Sequence, residues 1–201
     1  MNMWRGLHIK LLSTTSILLL LFSCGKKKLS ASDYMKYIED ENNGLKIKKQ
    51  IGSIEYAALY KPLDYVLLKE HVNDNVIKQQ EGDGLQYFSL HYSVKNSNAD
   101  ILKVNLASSQ EYYERENYFS FGLQNDLCLV EGKDTLHCQL FNYVHSYGLS
   151  PAADFVLAFD KKKGEQEDET LVIDDKTFGG GIIKMKIDKN DIENIPELTG
   201  N

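Results

Sequence analysis

Cysteine, proline and tryptophan are scarce in this 201-residue chain, which holds three, three and one of them. Three cysteines cannot build the dense disulfide framework on which small secreted scaffolds depend. With three prolines and fourteen glycines there is little room for a long linker, so the chain reads as one domain of ordinary size. Basic charge is also short: 23 Lys and Arg face 29 Asp and Glu, for a net charge of −6. A phosphate-binding surface needs clustered cations that release counterions, so nucleic acid is excluded as the expected partner.

Sequence patterns for chemistry are missing too. There is no His-x-x-x-His or His-Glu-x-x-His, so zinc would have to be gathered from distant strands among His71, His91, His137 and His145. No Gly-x-Ser-x-Gly elbow, Cys-x-x-Cys or EF-hand loop is present. Gly179-Gly180-Gly181 precedes a strand pattern rather than a Gly-Lys-Ser/Thr helix start, and reads as a turn. The acidic group Glu165 to Glu169 is irregular and reads as a solvated loop. No metal, cofactor or catalytic residue is expected. Nor is there a hydrophobic run of membrane-spanning length. Leu11 to Phe22 is twelve residues, or roughly 18 Å of helix, against a hydrocarbon core of about 30 Å.

What that run does have is a setting. Residues 1–10 carry Arg5 and Lys10 and no acid, and the apolar stretch follows directly, as in a secretory signal peptide. It ends in Leu21-Phe22-Ser23-Cys24. This sequence resembles the lipobox of bacterial lipoproteins: an aliphatic residue, a variable one, a small one, then the modified cysteine. The resemblance implies cleavage after Ser23, a diacylglyceryl thioether on Cys24, and acylation of the new amino group. Two or more acyl chains, at about 0.8 kcal/mol per buried methylene, hold durably to a membrane where one would not. Gly25 after the cysteine, rather than Asp, implies delivery to the outer membrane. The Cys-Gly-Lys start and the Tyr-, Lys- and Asn-rich body look like lipoproteins of the Bacteroidota, in which lysines here, rather than acids, imply a domain facing the periplasm. Removal of residues 1–23 leaves 21 basic and 29 acidic side chains, a net charge of −8. Residues 24–32 read as a lipidated tether of roughly 25 Å at most, with Lys26, Lys27 and Lys28 suited to anionic headgroups. Residues 33–201 read as a single globular domain.

Within that domain a helix is expected from a Ser32 cap, then strands Leu45 to Gln50 and Ile54 to Tyr60 about a Gly52-Ser53 turn. Pro62 opens a second helix with Leu63, Val66, Leu67, Val72 and Ile77 on one face, ending by Gly82. From Leu85 the period is two: Phe88, Leu90, Tyr92 and Val94 alternate with Ser89, His91 and Ser93. Further strands are expected at Ile101 to Leu106, Tyr118 to Leu123, Asp126 to Val130, Thr135 to Val144, Asp154 to Phe159, Glu169 to Ile173 and Ile182 to Ile187. A capping box, Ser108-x-x-Glu111, marks a helical turn between the first two. The fold class is therefore mainly β, an antiparallel sandwich with a small N-terminal helical and hairpin region. SPAADFVLAFDKKK and TFGGGIIKMKI resemble the closing strands of immunoglobulin-like lipoprotein domains, over about fifty residues, which bears on fold only.

Two features remain open. Cys128 and Cys138 flank a hairpin turn; a three-residue loop at Gly132-Lys133-Asp134 would face them across the ladder, close enough for a disulfide in an oxidising periplasm. A loop one residue different leaves two ordinary thiols. Tyr112-Tyr113, Tyr118-Phe119, Tyr143 and Tyr147 make the middle of the chain aromatic, either as an interaction face or as core packing. The functional expectation is a non-enzymatic, lipid-anchored envelope protein. It would bind another envelope protein, as an interaction module or an accessory part of a membrane-associated machine. A periplasmic binding or immunity-type inhibitor is the alternative, and a lipid-anchored hydrolase a third.

Overall fold

The computed structural model describes residues 26–70 and 84–199. Ser23, Cys24 and the expected signal peptide lie outside the described residues, as do His71, Val72 and Ile77. In chain order the elements are β1 (Lys28–Leu29), α1 (Ala31–Glu39), β2 (Lys46–Ile51), β3 (Ile54–Lys61), α2 (Leu63–Glu70) and β4 (Leu85–Val94). There follow α3 (Ser109–Asn117), β5 (Leu127–Glu131), β6 (Asp134–Val144), β7 (Ala153–Asp160), β8 (Glu169–Asp175), β9 (Gly181–Ile187), α4 (Lys189–Glu193) and β10 (Glu197–Leu198).

Eight strands form one antiparallel sheet in the order β2-β3-β4-β7-β6-β5-β8-β9. The expected mainly β, antiparallel architecture is thus what the chain adopts, and its layers are the two halves of one strongly curled sheet. The edge strands β2 and β9 approach to within 8 Å between Cα atoms, so the sheet nearly closes into a barrel. Its corner lies in β6. Residues 134–137 pair with β5 and residues 138–144 with β7, with a bulge between Cys138 and Leu140. A bulge bends its strand and increases local twist, which lets one strand serve both halves.

Alternation fills the interior. Tyr56, Ala58 and Tyr60 of β3, Phe88, Leu90 and Tyr92 of β4, Phe155, Leu157 and Phe159 of β7, Leu171 and Ile173 of β8, and Ile183, Met185 and Ile187 of β9 are all buried. Tyr92 is the hub of an edge-to-face aromatic set, with ring centroids 4.8 Å from Tyr56, 5.4 Å from Phe155 and 5.7 Å from Phe119. Such contacts each add about 0.5–1.5 kcal/mol beyond burial.

The two ends of the barrel are plugged differently. At the end where β3 finishes and β4 starts, α1 packs against α2, β3 and β10. It inserts Tyr34 and Ile38, one turn apart, into the core. Its cap is Ser30, not Ser32: the Ser30 hydroxyl accepts from the Asp33 N–H at 3.3 Å. Regular structure is therefore already present inside the expected tether. Lys28–Leu29 pairs in parallel with Glu197–Leu198, a pair of two-residue strands too short to show a sequence pattern. Gly44, at φ 73, ends the short turn after α1 in a conformation that side chains avoid. At the other end, the expected strand Ile101 to Leu106 is instead a 3-10 turn over Ile101–Lys103, because the Asp100 carboxylate caps the Leu102 N–H at 3.0 Å. The expected strand Tyr118 to Leu123 is a π-helical continuation of α3 over Tyr118–Gly122, whose Phe119 plugs the core.

Of the two open readings of the cysteines, the register is the one that leaves two thiols. The β5–β6 turn has two residues, Gly132 and Lys133, with Glu131 opposite Asp134, so Cys128 faces His137. Neighbouring residues on a strand point to opposite faces, so Cys138 is buried inside while Cys128 sits on the outer face. Both are free thiols, and no disulfide joins them. Burial pushes both thiols up from their ordinary value. Unfolding without reductant followed by maleimide labelling is expected to modify Cys128 and Cys138 together. A bridged peptide in a non-reducing map would refute the register.

Candidate functional site

The end of the barrel around α3 is built by a few short-range devices. Ser108 accepts from the Glu111 N–H at 3.3 Å, the cap that the sequence pattern predicts, and the Glu111 carboxylate reaches back one residue further than a capping box would, to the Ala107 N–H at 2.9 Å. Arg115 then pins the helix. Its Nη1 donates to the carbonyls of Ile101, Leu102 and Val104 at 3.1, 3.0 and 2.8 Å, and its guanidinium lies 4.9 Å from the Phe178 ring centre. Gly122 lets the next turn close, because a Cβ there would meet the Tyr118 ring at 2.4 Å.

Opposite α3 runs the loop from His145 to Ala152, which holds its own shape. Leu149 N–H donates to the Ser146 carbonyl at 2.9 Å, Ser146 Oγ to the Ser150 carbonyl at 3.2 Å, and Ile101 N–H to the Pro151 carbonyl at 2.8 Å. At its tip Tyr147 has φ 50, a left-handed conformation that costs a bulky residue energy, and it is 90% exposed. Leu149 is 93% exposed, and at the same end Phe121 and Tyr113 are 74% and 65% exposed. Burial of one such side chain is worth about 1.5–3 kcal/mol, so fixing four of them in water leaves a large stabilisation unused.

Between helix and loop lies a groove of about 290 Å3, lined by Asp100, Tyr112, Glu116, Tyr143, His145 and Tyr147 among others. The His145 ring stands 4.5 Å from Tyr143 and 5.9 Å from Tyr147, centre to centre. Its Nδ1 is 4.0 Å from Glu116 Oε1. Burial, and then the nearby Glu116 carboxylate, push the Tyr143 hydroxyl up to about 12 and the Tyr112 hydroxyl upward from its ordinary value. The aromatic segment divides: Phe119 and Tyr143 are core, and Tyr113 and Tyr147 face water.

Two other polar clusters escaped the sequence reading. At the α1 end, Glu131 and Glu169 face each other across β5 and β8, both buried, beside Gln86. Burial pushes the Glu169 carboxyl up to about 7, and its Oε2 has no hydrogen-bond partner. On the outer face, His91 Nδ1 and Asp154 Oδ1 are 2.7 Å apart across β4 and β7. Ser89 lies two residues away on that face but makes no hydrogen bond to His91, so the three do not form a hydroxyl-activating relay. His137 is exposed, and His91 and His145 lie apart. Among the described residues no group of three or more His, Cys, Asp and Glu is placed to hold a metal ion. No helix there is long and apolar enough to cross a membrane.

Comparison with known proteins adds little. No family model matches the chain, and no curated protein does. One solved structure, a DUF4426 family protein from Pseudomonas aeruginosa, is similar over 71% of this chain and 90% of its own, at 9% identity and a TM-score of 0.37. A likeness that remote says nothing of function.

Proposed function

We propose that this protein is a lipid-anchored module of the bacterial cell envelope that binds another envelope protein through the α3 end of its barrel. The anchor rests on Leu21-Phe22-Ser23-Cys24 and the charged, apolar leader before it. The binding face rests on one observation: Tyr113, Phe121, Tyr147 and Leu149 stand in water at one end, on backbone that is held in place. The two features fit together geometrically. From Cys24 to the first paired residue, Lys28, the chain reaches roughly 14 Å, so the α1 end stays beside the membrane. The ten residues of β4 carry the other end roughly 30 Å further off.

Two variants test the parts separately. Cys24→Ala is expected to leave the membrane fraction, and variant protein that still partitions with membranes would overturn the anchor. The triple variant Phe121→Ser, Tyr147→Ser, Leu149→Ser is expected to fold normally, since all three side chains are exposed. It is expected to lose the stoichiometric partner that wild-type protein retains when purified from detergent-solubilised envelopes. Retention of that partner by the triple variant would overturn the face.

A further inference from the structure

We infer that the groove between α3 and the 145–152 loop receives an arginine side chain from the partner protein. This rests on the reading of that end as a protein-binding face and names the chemistry it recognises. The lining selects the class of occupant. Tyr112, Tyr143, His145 and Tyr147 supply aromatic walls, and Asp100 and Glu116 supply two carboxylates. An anion would meet those carboxylates, and the cation at the rim, Lys103, is engaged by Asp100 at 3.2 Å. An apolar side chain would desolvate the carboxylates without replacing their water. A cation satisfies both the rings and the acids.

Glu116 is the group left waiting. Its carboxylate makes no hydrogen bond among the described residues, and the nearest ring nitrogen to it is His145 Nδ1, 4.0 Å from Oε1. Burial first, and then the Glu116 carboxylate, raise the Tyr112 and Tyr143 hydroxyls, as expected of a negative group beside the groove. The net charge of −6 favours approach of a basic partner.

Arginine fits better than lysine. A guanidinium is planar, stacks on aromatic faces and donates in pairs to a carboxylate, whereas an ammonium is a compact, strongly hydrated charge. The His145 and Tyr147 rings are 31° from parallel, an arrangement suited to a flat group beside them. The chain already uses this chemistry once, at the same end, where Arg115 lies over Phe178 while donating to three carbonyls.

The test uses full-length protein in detergent and a fluorescein-labelled peptide, Gly-Ser-Arg-Ser-Gly, read by anisotropy. Versions with citrulline or lysine replacing the arginine are the controls. Saturable binding of the arginine peptide is expected, weakened about tenfold by citrulline, which keeps the shape and loses the charge, and about threefold by lysine. Glu116→Gln and Tyr147→Ala are each expected to weaken binding about fivefold, while Glu193→Gln, exposed at the α1 end, leaves it unchanged. No saturable binding, equal binding of citrulline, or indifference to both groove variants would overturn the inference. Equal binding of lysine would overturn the guanidinium assignment. If the arginine peptide fails to bind while the triple variant above loses its partner, the face stands and the groove chemistry falls. If the peptide binds while the triple variant keeps its partner, the groove stands and the broader face falls.

Discussion

Asp175→Ala is expected to lower the unfolding free energy by about 4 kcal/mol. Asp175 ends β8 with its side chain turned inward and buried. It accepts from Tyr56 OH at 2.7 Å and from the backbone N–H groups of Thr177, Phe178 and Gly180 at 3.1, 3.2 and 2.8 Å. Hydrogen bonds to a charged acceptor are worth about 1.5–3 kcal/mol each, and loop groups that regain water return part of that. The turn is fitted closely around the carboxylate: a Cβ on Gly180 would lie 2.7 Å from Asp175 Oδ2 and 3.2 Å from Tyr56 OH. Loss of the carboxylate also frees the loop carrying Phe178, which Arg115 covers, so α3 loses a neighbour. Urea unfolding checks the value. A shift below about 1 kcal/mol would show that the loop keeps its shape without the carboxylate.

Glu169→Gln is expected to do the opposite, and only at high pH. Burial is the main cause that raises the Glu169 carboxyl to about 7, and the facing Glu131 raises it further, against lowering by Gln166 and Lys161. In the unfolded chain it titrates in the ordinary carboxylate range. Between about pH 4.5 and 7 the folded protein therefore holds a proton that the unfolded chain has released. Stability falls as pH rises through that window, and above pH 7 the cost reaches about 3 kcal/mol. The amide cannot ionise, and it can donate toward Glu131. At pH 8 the variant is expected to be about 2–3 kcal/mol more stable than wild type, and at pH 4 the two should agree within about 0.5 kcal/mol. A difference that does not change with pH would remove Glu169 as its source.

These two acids show how far the sequence could be read. Alternation identified the strand and its inward face correctly from Phe88 to Tyr92, because that face is apolar, and the strand expected at Ile182 to Ile187 is β9. The same alternation carries Glu169 and Asp175 inward with Leu171 and Ile173. Glu169 ends a run that reads as a solvated loop, yet strand pairing carries it inside, and Asp175 is satisfied by Tyr56, 119 residues away, and by the turn that follows it. The hairpin register turned on a single residue of loop length, which the Gly132-Lys133-Asp134 composition does not resolve. Tyr118 to Leu123 is an apolar run too short for its period to separate strand from helix, and α3 simply continues through it. The exposed end was half legible. Its aromatic content stands out in the sequence, but the groove needs Asp100, α3 and the 145–152 loop, which the fold gathers from three separate stretches.

The short pairing of β1 with β10 makes Glu197–Leu198 a clasp for the segment just ahead of α1. Glu197 N–H and Thr199 N–H hold the carbonyls of Lys27 and Leu29 at 2.9 and 2.8 Å, and Lys28 and Glu197 pair at 3.6 Å. A pull on the chain ahead of Lys26 meets these parallel strands in shear before it reaches α1. If Cys24 is anchored as proposed, opening the clasp would lengthen the tether from Lys28 to the Ser30 cap and let the barrel swing further from the membrane. The reach of the proposed tether would then depend on Glu197 to Thr199, far in sequence from the segment they hold.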